Sequence, residues 1–248
     1  MIKTFIISFL LVVFAGCSSA FATSDNFSDT EQLNRWITYY YSKPEPLRVA
    51  DAISAASSKG LTHNGQETTP FIGFIAGVIN KTPSMAQHLA KYLVSLPHAD
   101  QHMVILSIWY SSYPDAEHLL QNIKTSIPQH KEIIDKLLAN NRPSLLELPM
   151  EKGPWVLDML WGYFMATGDE APVVRIITAL PWINIRDDTS RLLVGGAARW
   201  SLTSNATQHE RVMAICRKEV ESQPDEVKTL LQEVITSAEN DIKQDKKG

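Results

Sequence analysis

The sequence predicts an all-α protein, folded as an array of about twelve short antiparallel helices that resembles an α-solenoid or an irregular bundle. Apolar residues recur at spacings of three and four along almost the whole chain after residue 28, and no segment shows the alternation expected of a half-buried strand. Prolines also precede most of the amphipathic runs, where their fixed φ and missing N–H suit the first helical turn. Short loops between such helices favour packing as antiparallel hairpins.

The first segment of the chain predicts export. Residues 1–3 carry a positive charge, and residues 4–15 form an apolar run interrupted only by Ser8. This run is too short to cross roughly 30 Å of hydrocarbon as an anchor, and small residues suited to cleavage follow it. We therefore expect a secretory signal that is removed, and a location in the bacterial periplasm.

Two cleavage sites remain open. Phe14–Cys17 resembles the lipobox of bacterial lipoproteins, which would end the signal at residue 16 and leave Cys17 lipidated. Ala20–Ala22 fits the small-x-small rule of ordinary signal peptidase, which would make residues 1–22 the signal peptide. The first site predicts an outer-membrane lipoprotein that faces the periplasm, and the second predicts a freely soluble periplasmic protein.

The rest of the chain predicts a single helical domain over residues 28–243, with the loop 140–153 as the candidate seam between two halves. Ser28-Asp29-Thr30-Glu31 has the form of a capping box, in which the Glu31 side chain reaches back to the Ser28 amide. The turn signals divide the domain into helices over residues 30–41, 46–59, 69–80, 83–95, 99–111, 114–125, 129–139, 154–166, 170–180, 188–203, 207–222 and 224–243.

The charge and hydropathy of the chain limit the kinds of partner that it is expected to bind. The chain has 27 acidic and 23 basic residues and a net charge of −4, so nucleic acid is not an expected partner. No later apolar run approaches the length of a membrane span, so membrane contact would come only through a lipid on Cys17. Cys216 is then the one remaining thiol; no intramolecular disulfide can form, and its apolar surroundings predict a buried packing residue.

The sequence contains no recognisable catalytic motif. A Gly-x-Ser-x-Gly elbow is missing, and Gly195-Gly196 lies in an apolar helix pattern where small residues let helices approach closely. His98 and His102 share a helix face and have metal-ligand spacing, but a closed site would need further ligands, for which His88 or His118 are candidates. Surface imidazoles are the favoured interpretation, so we expect no catalytic residue, no cofactor and no bound metal.

Most carboxylate pairs and large aromatic residues are explained by roles in the fold rather than by a functional site. Asp169-Glu170 and Asp187-Asp188 stand where helices are expected to begin, and acidic groups there complement the helix dipole. Most large aromatic residues fall on apolar helix faces as core fillers, namely Trp36, Tyr40, Trp109, Trp155, Trp161 and Trp200.

Trp182 differs because it follows Pro181 in a connection between helices. With Arg186, Asp187 and Asp188 it has the composition of a partner-binding patch, and the alternative is a plug that caps a helix.

Five segments of the chain carry a resemblance to known proteins, namely Trp36–Tyr41, Thr69–Phe74, Ile108–Ser111, Leu157–Gly168 and Ala179–Trp182. They resemble the corresponding segments of a family of largely uncharacterised proteobacterial envelope proteins and lipoproteins. The resemblance covers residues 36 to 182 and implies a helical fold and an envelope location, without catalytic residues to carry over. As a small exported protein without enzymatic residues, the chain is also similar in class to the periplasmic immunity proteins that accompany secreted antibacterial effectors.

The expected function is therefore non-enzymatic binding of another protein. A helical array offers an extended surface, and an acidic body can steer onto a basic partner. The specific expectation is an immunity protein that neutralises a secreted antibacterial effector, such as a lipase-type effector of type VI secretion, by direct binding. The alternatives are an envelope structural or assembly lipoprotein anchored through Cys17, and a metal-dependent enzyme that uses His98 and His102.

Overall fold

The computed structural model describes residues 27–62 and 65–245, and the predicted signal segment with Cys17 lies outside these ranges. Within the described ranges the chain forms twelve α-helices and no β-strand, which confirms the all-α prediction. The helices are α1 (Thr30–Thr38), α2 (Val49–Ser58), α3 (Gly65–Lys81), α4 (Ser84–Tyr92), α5 (His98–Tyr110), α6 (Ala116–Ser126), α7 (Lys131–Leu138), α8 (Trp155–Thr167), α9 (Glu170–Ile177), α10 (Thr189–Gln208), α11 (Glu210–Glu219) and α12 (Asp225–Asp245).

The cap of α1 lies one residue later than the sequence predicts. Asp29 is the N-cap, and its carboxylate accepts a hydrogen bond from the Gln32 amide at 2.7 Å. The Gln32 side chain in turn accepts from the backbone N–H of Ser28 at 2.8 Å. Glu31 does not reach back, because it pairs with Arg35 one turn further along at 3.1 Å. The capping box expected from Ser28 and Glu31 is therefore wrong, although the helix begins at the predicted place.

The helices α3 and α10 extend several residues beyond their predicted bounds. α3 begins at Gly65, so Pro70 lies inside the helix rather than at its start. Pro70 is the sixth residue of the helix, so it removes one intrahelical hydrogen bond and its ring crowds the carbonyl four residues earlier. Burial of Phe74 and Ile75 offsets this cost. α10 continues to Gln208, past the predicted end at residue 203, and Ala206 in its last turn is buried.

The centre of the fold is the crossing of α3 and α8, which form the most extensive helix contact. Glycines let the two backbones meet. A Cβ atom on Gly73 would lie 1.9 Å from the carbonyl oxygen of Met159, and one on Gly162 would lie 1.9 Å from the carbonyl oxygen of Pro70. Both distances are far inside van der Waals contact, so these positions admit only glycine at this helix separation.

Most of the other helices attach to this pair in two groups, and α1 contacts α2 and α8. α5 contacts α3, α4 and α6, and α6 contacts α7. α9 contacts α8 and α11, and α10 contacts α9, α11 and α12. A solenoid-like array would be dominated by contacts between helices that are neighbours in the sequence. The arrangement of the helices as a solenoid-like array or an irregular bundle stays a prediction. None of the helices in the described ranges combines the length and apolar character that crossing a membrane requires.

One large hydrophobic core extends from Tyr40 to Ala238. The loop that the sequence singles out as a seam, residues 140–153, contains two short 3₁₀ turns and contributes to this core. Its buried apolar side chains are Leu145, Leu148 and Met150.

Candidate functional site

Three imidazole rings meet where the first turns of α5 face the segment between α6 and α7. His98 and His102 lie on α5, and His130 ends the 3₁₀ turn Pro128–His130 that precedes α7. The ring of His130 stacks on that of His98 with centroids 4.6 Å apart, and the His102 ring lies 4.8 Å away in an edge arrangement. One ring nitrogen of each histidine lies within 4.8 Å of the other two, so the three form a cluster of the kind that can hold a metal ion.

Gln101 fixes the ring of His130. Its side-chain amide nitrogen donates to the carbonyl oxygens of Leu93 at 3.1 Å and Leu96 at 3.0 Å, so its oxygen is the atom left to face His130. That oxygen lies 2.5 Å from Nε2 of His130. Because an amide oxygen only accepts, Nε2 must carry the proton, and the free lone pair of the ring is placed on Nδ1.

His130 has no exposed surface, and its Nδ1 atom has no hydrogen-bond partner among the described residues. Burial, with smaller contributions from the neighbouring rings of His102 and His98, lowers the pKa of His130 to about 4. Burial also lowers the pKa of His102, with a smaller contribution from His98. Both imidazoles are therefore neutral near pH 7 and keep a lone pair available.

The sequence predicts two of the three histidines in this cluster. His98 and His102 are brought together as their spacing predicts, whereas the candidate partners His88 and His118 lie elsewhere. His118 is exposed on α6 beside Asp115, with 3.4 Å between the ring and the carboxylate. His130 has no motif around it, because its place in the cluster depends on how α6 packs on α5.

The segment around Trp182 packs against α10. Trp182 is partly buried against the core, and the guanidinium of Arg191 lies over its ring at 5.2 Å. Asp188 is the N-cap of α10 and accepts from the Arg191 amide at 3.0 Å, whereas Arg186 and Asp187 are exposed. α9 likewise begins directly after Asp169. The predicted partner-binding role of Trp182, Arg186, Asp187 and Asp188 stays a prediction.

Trp200 contradicts its sequence interpretation as a core residue. Its side chain is 74% exposed on α10, and Leu193, two turns earlier on the same face, is 59% exposed. Gly196 lies between them, and a Cβ atom there would meet nothing within 4 Å. Trp109 and Trp161, by contrast, are buried as predicted. We call Leu193, Gly196 and Trp200 the α10 face.

The α10 face borders a shallow groove between α10 and α12. The polar residues along this groove include Arg199 and Thr203 on α10 and Ser237 and Asp241 on α12. Arg199 also pairs with Glu233 of α12 at 3.2 Å. The apolar groups are thus bordered by polar and charged ones, as at the rim of many protein interfaces.

Comparison of the chain with protein-family models, with curated proteins and with solved structures finds no match.

Proposed function

We propose that this chain is a non-enzymatic binding protein of the bacterial envelope, which contacts another protein through the α10 face. The partner that fits best is a secreted antibacterial effector, which the chain would neutralise by direct binding. The observation that carries the proposal is the 74% exposed side chain of Trp200. Tryptophan is among the residues most enriched at the energetic centres of interfaces, and leaving one in water forfeits the burial of a large apolar surface.

The arrangement around Trp200 supports a docking role for this side chain. Leu193, Gly196 and Trp200 follow one another at spacings of three and four, so they form a single stripe along the helix. The open space at Gly196 leaves a gap between two apolar projections, into which a partner side chain could insert. The acidic net charge of −4 favours a partner with a basic surface, since complementary charge speeds encounter.

The test places a photocrosslinking amino acid at position 200 in the bacterium that makes the protein. Support requires a single crosslinked protein that is toxic when produced in the periplasm without this chain, and harmless when both are present. Leu193→Asp should abolish both the crosslink and the protection, and Trp200→Ala should weaken binding by about 2 kcal/mol, roughly thirtyfold in Kd.

Leu47 provides the matched control because it is also apolar and 76% exposed, on a different part of the surface. A crosslinker at position 47 should not capture the same protein, and Leu47→Asp should leave protection intact. Identical crosslinks from positions 47 and 200 would refute the docking face. A specific partner that is harmless on its own would exclude immunity and favour a role in envelope assembly.

A further inference from the structure

We propose that His98, His102 and His130 form a binding site for a divalent transition-metal ion of the Zn²⁺ class, with a fourth coordination position open to solvent. The site lies on α5 and just before α7, whereas the proposed partner contact lies on α10. The two proposals can therefore be tested independently. The sequence pattern assigns only His98 and His102 to such a site and leaves it incomplete.

The first step is the preorganisation of His130. The amide oxygen of Gln101 accepts a hydrogen bond from its Nε2, and Gln101 is itself held by two backbone carbonyls. Metal-bound histidines characteristically donate their second ring N–H in this way, which fixes the tautomer and aims the lone pair of the other nitrogen. In His130 that other nitrogen, Nδ1, is fully buried and has no partner among the described residues.

This unpartnered nitrogen needs an explanation. A buried acceptor that has lost its water and gained no partner destabilises the folded chain. An ion held between the three rings would give Nδ1 the partner that the described residues do not provide. The stacking of His98 on His130, at 4.6 Å between centroids, places a second imidazole beside the ring that carries the unpartnered atom.

The second step is the adaptability of the two α5 ligands. Zinc–nitrogen bonds of 2.0–2.1 Å in a tetrahedron set ligand nitrogens about 3.3 Å apart. One ring nitrogen of each histidine lies within 4.8 Å of the other two, so rotation of the side chains can bring the ligand nitrogens to this separation. His98 is exposed and His102 is half-buried, so both rings can turn toward the fixed ring of His130. Their spacing of four residues keeps them on one face of α5 throughout.

The ligand set selects the class of ion. Neutral imidazole suits zinc, copper and nickel, whereas magnesium and calcium require oxygen ligands. Three protein nitrogens leave one position of a tetrahedral ion for water, and the exposed His98 marks the side from which solvent and the ion enter. A structural zinc site would be closed by a fourth protein ligand, so this geometry predicts exchangeable rather than permanently trapped metal.

The experiment uses untagged protein stripped with a chelator, so that no added histidines compete. Titration with Co²⁺ should produce the visible absorption of a tetrahedral cobalt site, saturating at one equivalent, and Zn²⁺ should abolish it by displacement. His98→Ala and His102→Ala should each lower the affinity for Co²⁺ by at least about tenfold. His118→Ala, which removes an exposed histidine outside the cluster, should bind one equivalent with unchanged affinity.

Gln101→Met tests the positioning role of the glutamine. It should preserve the cobalt spectrum but weaken binding by about ten- to a hundredfold, because the ring of His130 is no longer held. The proposal is overturned if the wild-type protein shows no cobalt band and retains no stoichiometric zinc after gel filtration. It is also overturned if His98→Ala and His102→Ala bind as tightly as the wild type, or if His118→Ala removes binding.

Discussion

Two fully buried histidines have opposite surroundings, although each leaves one ring nitrogen without a partner. His209 has aromatic neighbours: Tyr41 places its hydroxyl 3.1 Å from Nδ1, and the rings of Tyr39 and Phe164 lie within 6.0 Å. His130 faces two further imidazoles instead. The same residue type therefore serves as a packing group in one place and as a candidate ligand in the other.

The buried His209 predicts a loss of stability in mild acid. Burial lowers its pKa from 6.5 to about 4, so below pH 6.5 the unfolded chain binds a proton that the folded chain excludes. The contribution of His209 is fully present above pH 6.5 and is lost as the pH falls to about 4, by up to roughly 3 kcal/mol. Urea unfolding at a series of pH values should show this slope.

His209→Gln should reduce the slope by about one proton, because glutamine does not titrate, whereas the buried His130 keeps its own contribution. His118→Gln is the matched control for the loss of a histidine, since that side chain is exposed in the folded protein. An identical pH dependence in wild-type protein and His209→Gln would refute this assignment.

Cys216 should be chemically silent in the folded protein. It is completely buried, and burial raises its pKa to about 12, so almost no reactive thiolate forms near neutral pH. In a chain that starts after the predicted signal peptide, an aromatic disulfide reagent should therefore label no thiol under native conditions and one thiol in denaturant. Rapid labelling of the native protein, at a rate typical of a free thiol, would contradict this burial.

At the scale of helices, the α3–α8 crossing depends on missing side chains. Gly162→Ala would place a methyl group 1.9 Å from the Pro70 carbonyl oxygen, so the helices would have to separate. We expect a loss of at least about 2 kcal/mol in the free energy of unfolding. Gly196→Ala on α10 is the matched control, because nothing lies within 4 Å of the added atom. It should raise stability by up to about 1 kcal/mol through helix propensity.

Urea denaturation of both glycine variants measures the difference directly. Equal effects at positions 162 and 196 would mean that the crossing is not limited by contact between the two backbones.

Helix positions could be predicted from the sequence because they depend on the local pattern of residues. Which face of each helix is buried could not be predicted in this way. α10 has apolar residues around much of its circumference, and its neighbours bury Val194, Ala198 and Leu202 while leaving Trp200 in solvent. Packing against α12 and the 3₁₀ turn Leu180–Asn184 decides which face of α10 is buried. The local periodicity of the sequence does not contain this information. The cluster with His130 was unpredictable for the same reason, since it joins residues about thirty positions apart.

At the scale of the whole molecule, one core connects regions with different proposed roles. The histidine cluster belongs to the α4–α7 side of the α3–α8 pair, and the α10 face belongs to the group formed by α9–α12. Because the core is continuous, an ion bound as proposed between α5 and the start of α7 would resist unfolding of the entire domain. It would do so without contacting the proposed partner-binding face.

Zinc should therefore raise the melting temperature of the whole domain. At a free concentration a hundred times the Kd, a ligand bound only by the folded state adds about 2.7 kcal/mol, which for a chain of this size corresponds to roughly 5–10 °C. The rise should disappear on chelation and should fall to about half or less in His98→Ala, because a tenfold weaker site at the same zinc concentration keeps about half of the stabilisation. This variant changes an exposed residue and should still fold. His118→Ala and Trp200→Asp should respond as the wild type does, because neither residue belongs to the cluster. An equal rise in His98→Ala would place the stabilising zinc elsewhere on the protein, since the mass-action effect would then not require this imidazole.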